Sequence, residues 1–443
     1  MNKDLTSGDP AKGLILYTLP LLGSVFFTQL YNVADSLVAG NFLGESALAA
    51  VGNASEITLI YTAFAFGCNM GCSVVISQLF GSGDHKALRT AVTTSYISFG
   101  FLCAVLTLLG LMFSPAALEL IRTPAEIFGA SKTYIIIYTL GMPFVFFYNI
   151  ATGIFSALGD SRTPFIFLAA SSSANIFVDI LFVTAFGMNV EGLAWATVLC
   201  QGASCILAIV SLSKRLKTMN DDGSNGAFSA ATLRKILRGA IPSILQQAFI
   251  SVGNIAVQGV INGFGESVMA GSTAALKLNA IATSCLTADA NGLSTYTAQN
   301  IGADRSDRVR SGYRAALLLG AATCIPLVVC YFGFGNFFVS LFMEGGSETA
   351  LATGRLFLRI VSPFYFVVML KIMTDGVLRG AGAINHFMIS TFADLFLRVI
   401  LSMIFAKLFG SVGIWCSWPV GWTIGTALSL IFYASGVWKR AKL

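Results

Sequence analysis

Charged side chains are scarce in this chain. Only 11% of its 443 residues are Asp, Glu, Lys or Arg, whereas a soluble domain carries roughly 25%. Four stretches contain no charged residue, and each exceeds the roughly 20 residues with which a helix crosses a bilayer. They lie between Glu56 and Asp84, Lys132 and Asp160, Arg238 and Glu266, and Arg314 and Glu344. This scarcity excludes a water-soluble fold of this size and indicates an integral membrane protein.

The residues and motifs of enzyme active sites are also scarce. The two histidines, His85 and His386, fall in predicted loops, and the sequence has no HExxH, GxSxG or Walker A motif. Without a phosphate-binding loop, this chain alone cannot be an ATP-driven pump. An intramembrane enzyme is the least favoured alternative, because it would need a nucleophile and base or a metal cluster at depth. We therefore predict no catalytic residues and no cofactor.

The apolar stretches favour helices over a barrel. Backbone in hydrocarbon must satisfy its own hydrogen bonds, and these runs lack the alternation of an outer-membrane strand. We predict an all-α integral membrane protein with twelve transmembrane helices. Because most lysines and arginines fall in loops on the side that holds both termini, the positive-inside rule places the termini in the cytoplasm and the protein in the inner membrane. The net charge of +6 therefore needs no nucleic-acid partner.

The two halves of the chain repeat the same order of elements. SQLFGSGDHKALR at 77–89 matches AQNIGADRSDRVR at 298–310, and a polar, glycine-containing stretch at 220–226 reads as a linker between the halves. Parallel repeats of this kind place a substrate site near the bilayer midplane. We predict two pseudo-symmetric six-helix bundles joined by a cytoplasmic linker and functional as a monomer, with the boundaries 1–213, 214–235 and 236–443.

Two acidic residues of the N-terminal half, Asp35 and Asp179, fall inside predicted spans without a basic residue within one helical turn. An ionisable side chain at midplane costs about 2.5–3.5 kcal/mol even on insertion scales. Tyr31 and Asn175 each precede one of these aspartates by four residues and share its helix face. Such oxygens can replace water around Na⁺, or the carboxylates can carry H⁺. The alternative is that Asp35 lies near the water interface and Asp179 is merely hydrogen-bonded.

The C-terminal half differs at the corresponding positions. Alignment of the two fifth spans places Asp394 opposite Asn175 and Arg398 opposite Asp179. A carboxylate and a guanidinium at i,i+4 on a helix can neutralise each other. We therefore predict that Asp394 and Arg398 form a structural ion pair.

Further charges of the C-terminal half are less easily assigned. Lys371 and Asp375 make a similar i,i+4 pair in the tenth span, whereas Lys277 and Asp289 in the eighth have no partner so close in sequence. For Lys371, Lys277 and Asp289, structural pairing or snorkelling and the lining of a cleft both remain open.

Five segments, beginning at residues 31, 156, 175, 293 and 378, carry a family resemblance. They are YNVADSLVAGNFLGESALAAVG, SALGDSRTP, NIFVDILFVTAFGMNVEGLAWATVLCQ, LSTYTAQNIGADRSDRVRSG and LRGAG. Each segment by itself is a weak match, but the order of all five along two six-span halves is specific. Over nearly its whole length the chain resembles the multidrug and toxic compound extrusion (MATE) family.

The resemblance implies an antiporter that exports amphipathic, often cationic, small molecules in exchange for Na⁺ or H⁺ by alternating access. No metal other than Na⁺ is implied. By match to the family's motif, the cation site would consist of Asp35, Asn175, Asp179 and Thr197. Candidate residues of a substrate cleft are Tyr31, Asn149, Lys277 and Asp375. The nearest alternative is a flippase of the same superfamily that moves a lipid-linked precursor, but twelve spans and N-terminal acids favour small cationic cargo.

Overall fold

The computed structural model describes residues 4–219, 228–342 and 347–441, and within these ranges the chain is helical with no strand. It contains twelve long helices, which we number in chain order. They are α1 Pro10–Val38, α2 Glu45–Gly81, α3 His85–Leu120, α4 Ala125–Ala157, α5 Arg162–Thr184, α6 Val190–Thr218, α7 Ala230–Asn262, α8 Glu266–Gly302, α9 Ser306–Val328, α10 Glu348–Ala381, α11 Ile384–Phe409 and α12 Ser411–Ala434.

The helices have the length and composition that a bilayer requires. Ten of those described are long and apolar enough to span it. The other two, α8 and α12, have 37 and 24 residues, which also exceeds the roughly 20 residues of one crossing. The predicted all-α integral membrane fold is therefore confirmed.

The chain divides into two compact units. The first contains Leu19–Ile244, and the second contains Leu5–Thr18 and Leu245–Leu443. Most of α1 and all of α2 to α6 belong to the first unit, whereas α8 to α12 and the end of α7 belong to the second. The predicted linker at 214–235 is helical at both ends, because α6 continues to Thr218 and α7 begins at Ala230. Its centre lies outside the described residues.

Helix α10 extends further than the sequence suggests. A 3₁₀ turn at Ser362–Phe364 interrupts the helix beside a proline, which has no backbone N–H to donate. Beyond this turn the helix runs through Ala381 and ends at Gly382, whose φ of 91° is the left-handed cap that glycine accommodates. The tenth span predicted from the sequence ends at residue 378, with Arg379 in the cytoplasmic loop that follows. The structure corrects this assignment, because Arg379 lies buried in the last turn of α10.

Small residues on α10 allow it to approach α8 closely. A Cβ on Gly376 would lie 2.8 Å from the carbonyl oxygen of Ala290, and a Cβ on Gly380 would overlap the carbonyl oxygen of Ser294. Both pairs are four residues apart on their helices, which is the spacing that brings membrane helices into backbone contact. This contact holds Arg379 of α10 against Asn291 and Ser294 of α8.

Replacement of Gly380 tests this contact. We expect Gly380→Ala to lower the free energy of unfolding by about 1–3 kcal/mol, because the backbone of α8 cannot yield as a flexible side chain would. The measurement is thermal unfolding of the purified protein in detergent. Gly259→Ala in α7 is the control, since an added Cβ there meets nothing within 4 Å. Equal unfolding temperatures for the two variants would contradict the argument.

The turn between α4 and α5 is held by Asp160. Its carboxylate accepts the backbone N–H of Arg162 at 3.1 Å, the backbone N–H of Thr163 at 3.0 Å and the Thr163 hydroxyl at 2.7 Å. It also forms an ion pair with Arg215 of α6. Burial alone would raise the pKa of Asp160, but the Thr163 hydrogen bonds and the Arg215 charge outweigh it and lower the pKa below its ordinary value.

The sign of this pKa shift sets a pH dependence. A carboxyl group whose pKa is lower in the folded state stabilises the fold above its unfolded pKa, and this stabilisation is lost as the pH falls through the folded pKa. We expect Asp160→Asn to lower the unfolding temperature at pH 7 and to differ less from the parent protein at about pH 3. Asp84→Asn, at the N-cap of α3, is the control: its carboxylate is exposed and accepts a hydrogen bond from the Ala87 N–H. An equal loss of stability in both variants at pH 7 would mean that the ion pair with Arg215 contributes nothing to the stability of the fold.

Candidate cation and substrate sites

The predicted cation residues meet within the first unit. Tyr31 and Asp35 lie on α1, Asn175 and Asp179 on α5, and Thr197 on α6. The four-residue spacings on α1 and α5 place each pair on one face of its helix. The Tyr31 hydroxyl lies 3.1 Å from the hydroxyl oxygen of Thr197. Three helices therefore bring five oxygen-bearing side chains to one place.

Asn175 joins the two aspartates. When its amide nitrogen faces the carboxylates, it donates to Asp35 at 3.2 Å and to Asp179 at 3.0 Å. In the same orientation, the amide oxygen accepts the backbone N–H of Thr197 at 3.2 Å. Asp35 and Asp179, which are 144 positions apart in the sequence, thus both face the nitrogen of a single amide group.

The charge of this site has no basic partner. In the described ranges, no lysine, arginine or histidine nitrogen lies within 4.0 Å of Asp35 or Asp179. Asp179 is fully buried, and its Oδ1 has no hydrogen-bond partner among the residues that the structure describes. Asp35 is only half-buried. A buried carboxylate oxygen without a donor is a place where a cation or a proton would be stabilised.

Asn149 and Lys277, two predicted residues of the substrate cleft, have contacts within their own units. The side-chain amide of Asn149 donates to the carbonyl of Val145 on its own helix at 2.9 Å. Lys277 is exposed, with its nitrogen 6.0 Å from the centre of the Phe342 ring, and it lines a separate pocket of about 330 Å³. The place of both residues in a substrate cleft stays a prediction.

The second unit contains a cavity of about 400 Å³. Helices α7, α8, α10, α11 and α12 line it, and Asp375 lies in its wall. The Asp375 carboxylate accepts hydrogen bonds from Lys371 at 2.8 Å, from Ser390 at 3.0 Å and from Ser429 at 2.6 Å. These contacts satisfy the carboxylate and resolve the open assignment of Lys371 in favour of both pairing and cavity lining.

The predicted Asp394–Arg398 ion pair is not formed among the described residues. Instead, Asp394 Oδ2 lies 3.8 Å from the Lys371 nitrogen, and Asp394 Oδ1 has no hydrogen-bond partner in the described ranges. The Arg398 guanidinium stacks over Trp418 of α12 at 4.3 Å from the ring centre. The i,i+4 spacing within α11 allowed the pair, but each residue has its partner on a neighbouring helix: Lys371 of α10 for Asp394 and Trp418 of α12 for Arg398.

Arg379 also lines the cavity, which the sequence analysis missed. Its guanidinium donates to Asn291 at 2.7 Å and to Ser294 at 3.4 Å, and it lies over the Phe387 ring at 5.8 Å. The spacing of Gly376 and Gly380 could have indicated that the helix continues past Arg379.

Asp289 lies between α8 and α9 and outside the cavity lining. Its Oδ2 accepts a hydrogen bond from the Thr323 hydroxyl at 2.9 Å, and its Oδ1 has no hydrogen-bond partner within residues 4–219, 228–342 and 347–441. Only 1% of Asp289 is exposed. Of the two assignments left open for this residue, the structure supports neither a pair with a basic side chain nor a place in the cleft wall.

Comparisons with known proteins agree on the family. The MatE family profile matches residues 20–181 and 242–404, one segment in each half. The probable multidrug resistance protein YpnP of Bacillus subtilis is 27% identical over 446 residues, covering 99% of this chain and 98% of that protein. A second B. subtilis relative, the probable multidrug resistance protein YoeA, is 26% identical over 445 residues, covering 98% and 95%.

A solved structure shows the same fold. It is described as the outward-facing conformation of a multidrug resistance MATE family transporter of the MOP superfamily. It superposes with a TM-score of 0.92 at 22% identity and covers 99% of both chains. Because the family profile matches most of the chain, the resemblance predicted from the sequence is confirmed, and the protein is a multi-pass membrane transporter of the MatE multidrug efflux family, not an enzyme.

Proposed function

We propose that the chain exports amphipathic small molecules in exchange for Na⁺ or H⁺, which binds at Asp35, Asn175, Asp179 and Thr197. The supporting observation is that two carboxylates face one amide with no basic side chain within 4.0 Å in the described part of the chain. Charge without a partner in the hydrocarbon region is costly, and a mobile cation removes the cost whenever it binds.

The Asn175 amide suits either ion. With its nitrogen toward the aspartates it bridges two carboxylates, which is the arrangement expected without a metal ion. With its oxygen toward them it adds a neutral ligand to two charged ones, and hard cations such as Na⁺ favour oxygen ligands. A proton would instead be held on one carboxylate and donated to the other. When the cation leaves, hydrogen bonds from the Asn175 amide to the two carboxylates can therefore take its place.

Coupling requires that the cation bind the two access states unequally. A ligand shifts a conformational equilibrium only by its differential affinity for the two states. In alternating access, α1, α5 and α6 would keep their oxygens together in one state and separate them in the other. The negative charge of this site also supports the prediction of cationic cargo, since such a compound and the coupling ion would favour the same carboxylates.

The proposed location is the inner membrane, with both termini in the cytoplasm and a monomer as the functional unit. Contacts within the second unit support this topology. Arg305 and Arg308, at the turn after α8, donate to the backbone carbonyls of Thr6 and Gly8 at 2.8 and 2.9 Å. The N-terminal segment and this basic turn therefore lie on the same side, which the positive-inside rule assigns to the cytoplasm.

Neutral replacements of the acids test the coupling role. We expect Asp35→Asn and Asp179→Asn each to abolish cation-driven efflux from proteoliposomes. The protein should stay folded, because neither replacement leaves a basic side chain without its ion-pair partner. Efflux is measured under a Na⁺ gradient and a pH gradient applied separately, which also identifies the ion. Glu119→Gln, at the exposed end of α3, is the control and keeps the parent rate. An aspartate variant that transports at the parent rate under the driving gradient refutes the site.

Thr197 is expected to contribute one neutral ligand. Thr197→Val removes a single oxygen and should raise the half-saturating cation concentration by about 2–10-fold without ending transport. The same change also breaks the contact with Tyr31. Tyr31→Phe removes that contact but keeps the Thr197 oxygen, so it should shift the half-saturation less. Equal shifts in the two variants would mean that the Tyr31 contact, and not coordination, explains the effect.

A further inference from the structure

The cavity of the second unit carries an excess of positive charge. Its lining includes three basic side chains, Lys371, Arg379 and Arg398, and two acidic ones, Asp375 and Asp394. Lys371 lies between both acids, 2.8 Å from Asp375 and 3.8 Å from Asp394. One cation therefore serves two carboxylates, and both guanidinium groups remain without a carboxylate within 4.0 Å among the described residues.

Arg398 is arranged to bind an oxyanion. The residue is only 8% exposed, and one face of its guanidinium is covered by Trp418. Within the described ranges it has no hydrogen-bond partner, so donors of its planar fork are available at the cavity wall. Stacking on an aromatic ring orients the group without using its N–H donors, and such a fork matches carboxylate or phosphate oxygens.

Arg379 offers a second positive group in the same wall. It is 7% exposed, and its partners Asn291 and Ser294 are neutral, so they orient the guanidinium without cancelling its charge. A buried charge in a membrane protein is expensive and marks a functional position. Two such groups in one cavity stabilise an anion far better than either does alone.

The remaining walls select for an amphipathic ligand. Phe387, Trp418 and Trp422 present aromatic surface, while Gln246 and Asn254 add uncharged polar groups. A volume of about 400 Å³ lies in the range of small-molecule sites, roughly 300–1,000 Å³. The lining therefore combines two cationic anchors, an apolar surface and a few neutral hydrogen-bonding groups.

We propose that this cavity binds the carboxylate or phosphate group of an amphipathic small molecule, with Arg398 and Arg379 as its anchors. The site is opposite in charge to the cation site of the first unit. The chain would thus accept anionic or zwitterionic compounds in addition to cationic cargo. Binding does not depend on the proposed antiport, but export of the bound anion rests on it.

The test uses matched probes on the full chain in phosphatidylcholine nanodiscs. Calorimetric titrations compare 2-naphthoate and 2-naphthyl phosphate with 2-naphthylmethylammonium, which has the same ring and the opposite charge. We expect the anions to bind at least tenfold more tightly than the cation. Arg398→Gln and Arg379→Gln should each weaken anion binding about tenfold or more, since hydrogen bonds to charged groups contribute about 1.5–3 kcal/mol. Parent-like anion affinity in Arg398→Gln overturns the proposal.

Controls separate charge, geometry and folding. Arg359→Gln removes an exposed guanidinium from the same helix, α10, as Arg379, and it should leave anion affinity unchanged. Arg398→Lys keeps the charge but loses the fork, so it should bind anions with intermediate affinity. If Arg398→Gln fails to fold, the anion affinity of Arg398→Lys tests the proposal in its place. Weakening as large in Arg359→Gln as in Arg398→Gln would show a general charge effect and would overturn the site.

Two further arms identify the source of the anion and its relation to transport. If phosphatidylglycerol in the nanodisc displaces 2-naphthoate, and does so only with Arg398 intact, the site takes lipid phosphate. If 2-naphthoate stays bound, the site takes the soluble anion. Asp179→Asn should keep anion binding while losing cation-driven efflux, whereas Arg359→Gln should keep both. Loss of anion binding in Asp179→Asn as well would contradict a separate second site.

Discussion

The free-energy cost of a charged side chain in hydrocarbon shapes this molecule more than any other constraint. At a midplane position that cost is about 2.5–3.5 kcal/mol on insertion scales and larger for an isolated helix. The chain nevertheless keeps Asp35, Asp179, Lys371, Arg379 and Arg398 in its long helices. Each of these residues must be compensated by a neighbour or by a ligand, and the compensations found in the structure differ between the two units.

In the first unit, the carboxylates are left for a mobile cation to neutralise. Asp35 and Asp179 share the neutral amide of Asn175, and one oxygen of Asp179 has no donor within the described part of the chain. The second unit compensates most of its charge internally, through Lys371 and the hydroxyls around Asp375, but surrounds two guanidinium groups with neutral and aromatic partners. Two halves with one architecture thus present opposite charges to whatever they bind.

Close helix packing determines which charges meet. The glycines of α10 let its backbone touch α8, which buries Arg379 and turns it toward Asn291. With a larger residue at 380 the helices would separate, and the guanidinium would lose its orienting partners. Trp418 of α12 also orients a charged group, since the Arg398 guanidinium of α11 stacks on its ring. The orientation of the charged side chains in this cavity therefore depends on the packing of uncharged groups around them.

The sequence by itself determined the fold class, the internal repeat and the family, because apolar runs, charge spacing and ordered motifs are properties of the chain alone. It also identified Asp35, Asn175, Asp179 and Thr197 as a set, through helical spacing and family resemblance. Only the tertiary structure decided the partners in the second unit, where Lys371 approaches Asp394 and Arg398 stacks on Trp418. The physical reason is that i,i+4 spacing shows which residues can meet within one helix, whereas buried charges find their partners on neighbouring helices, whose approach depends on packing.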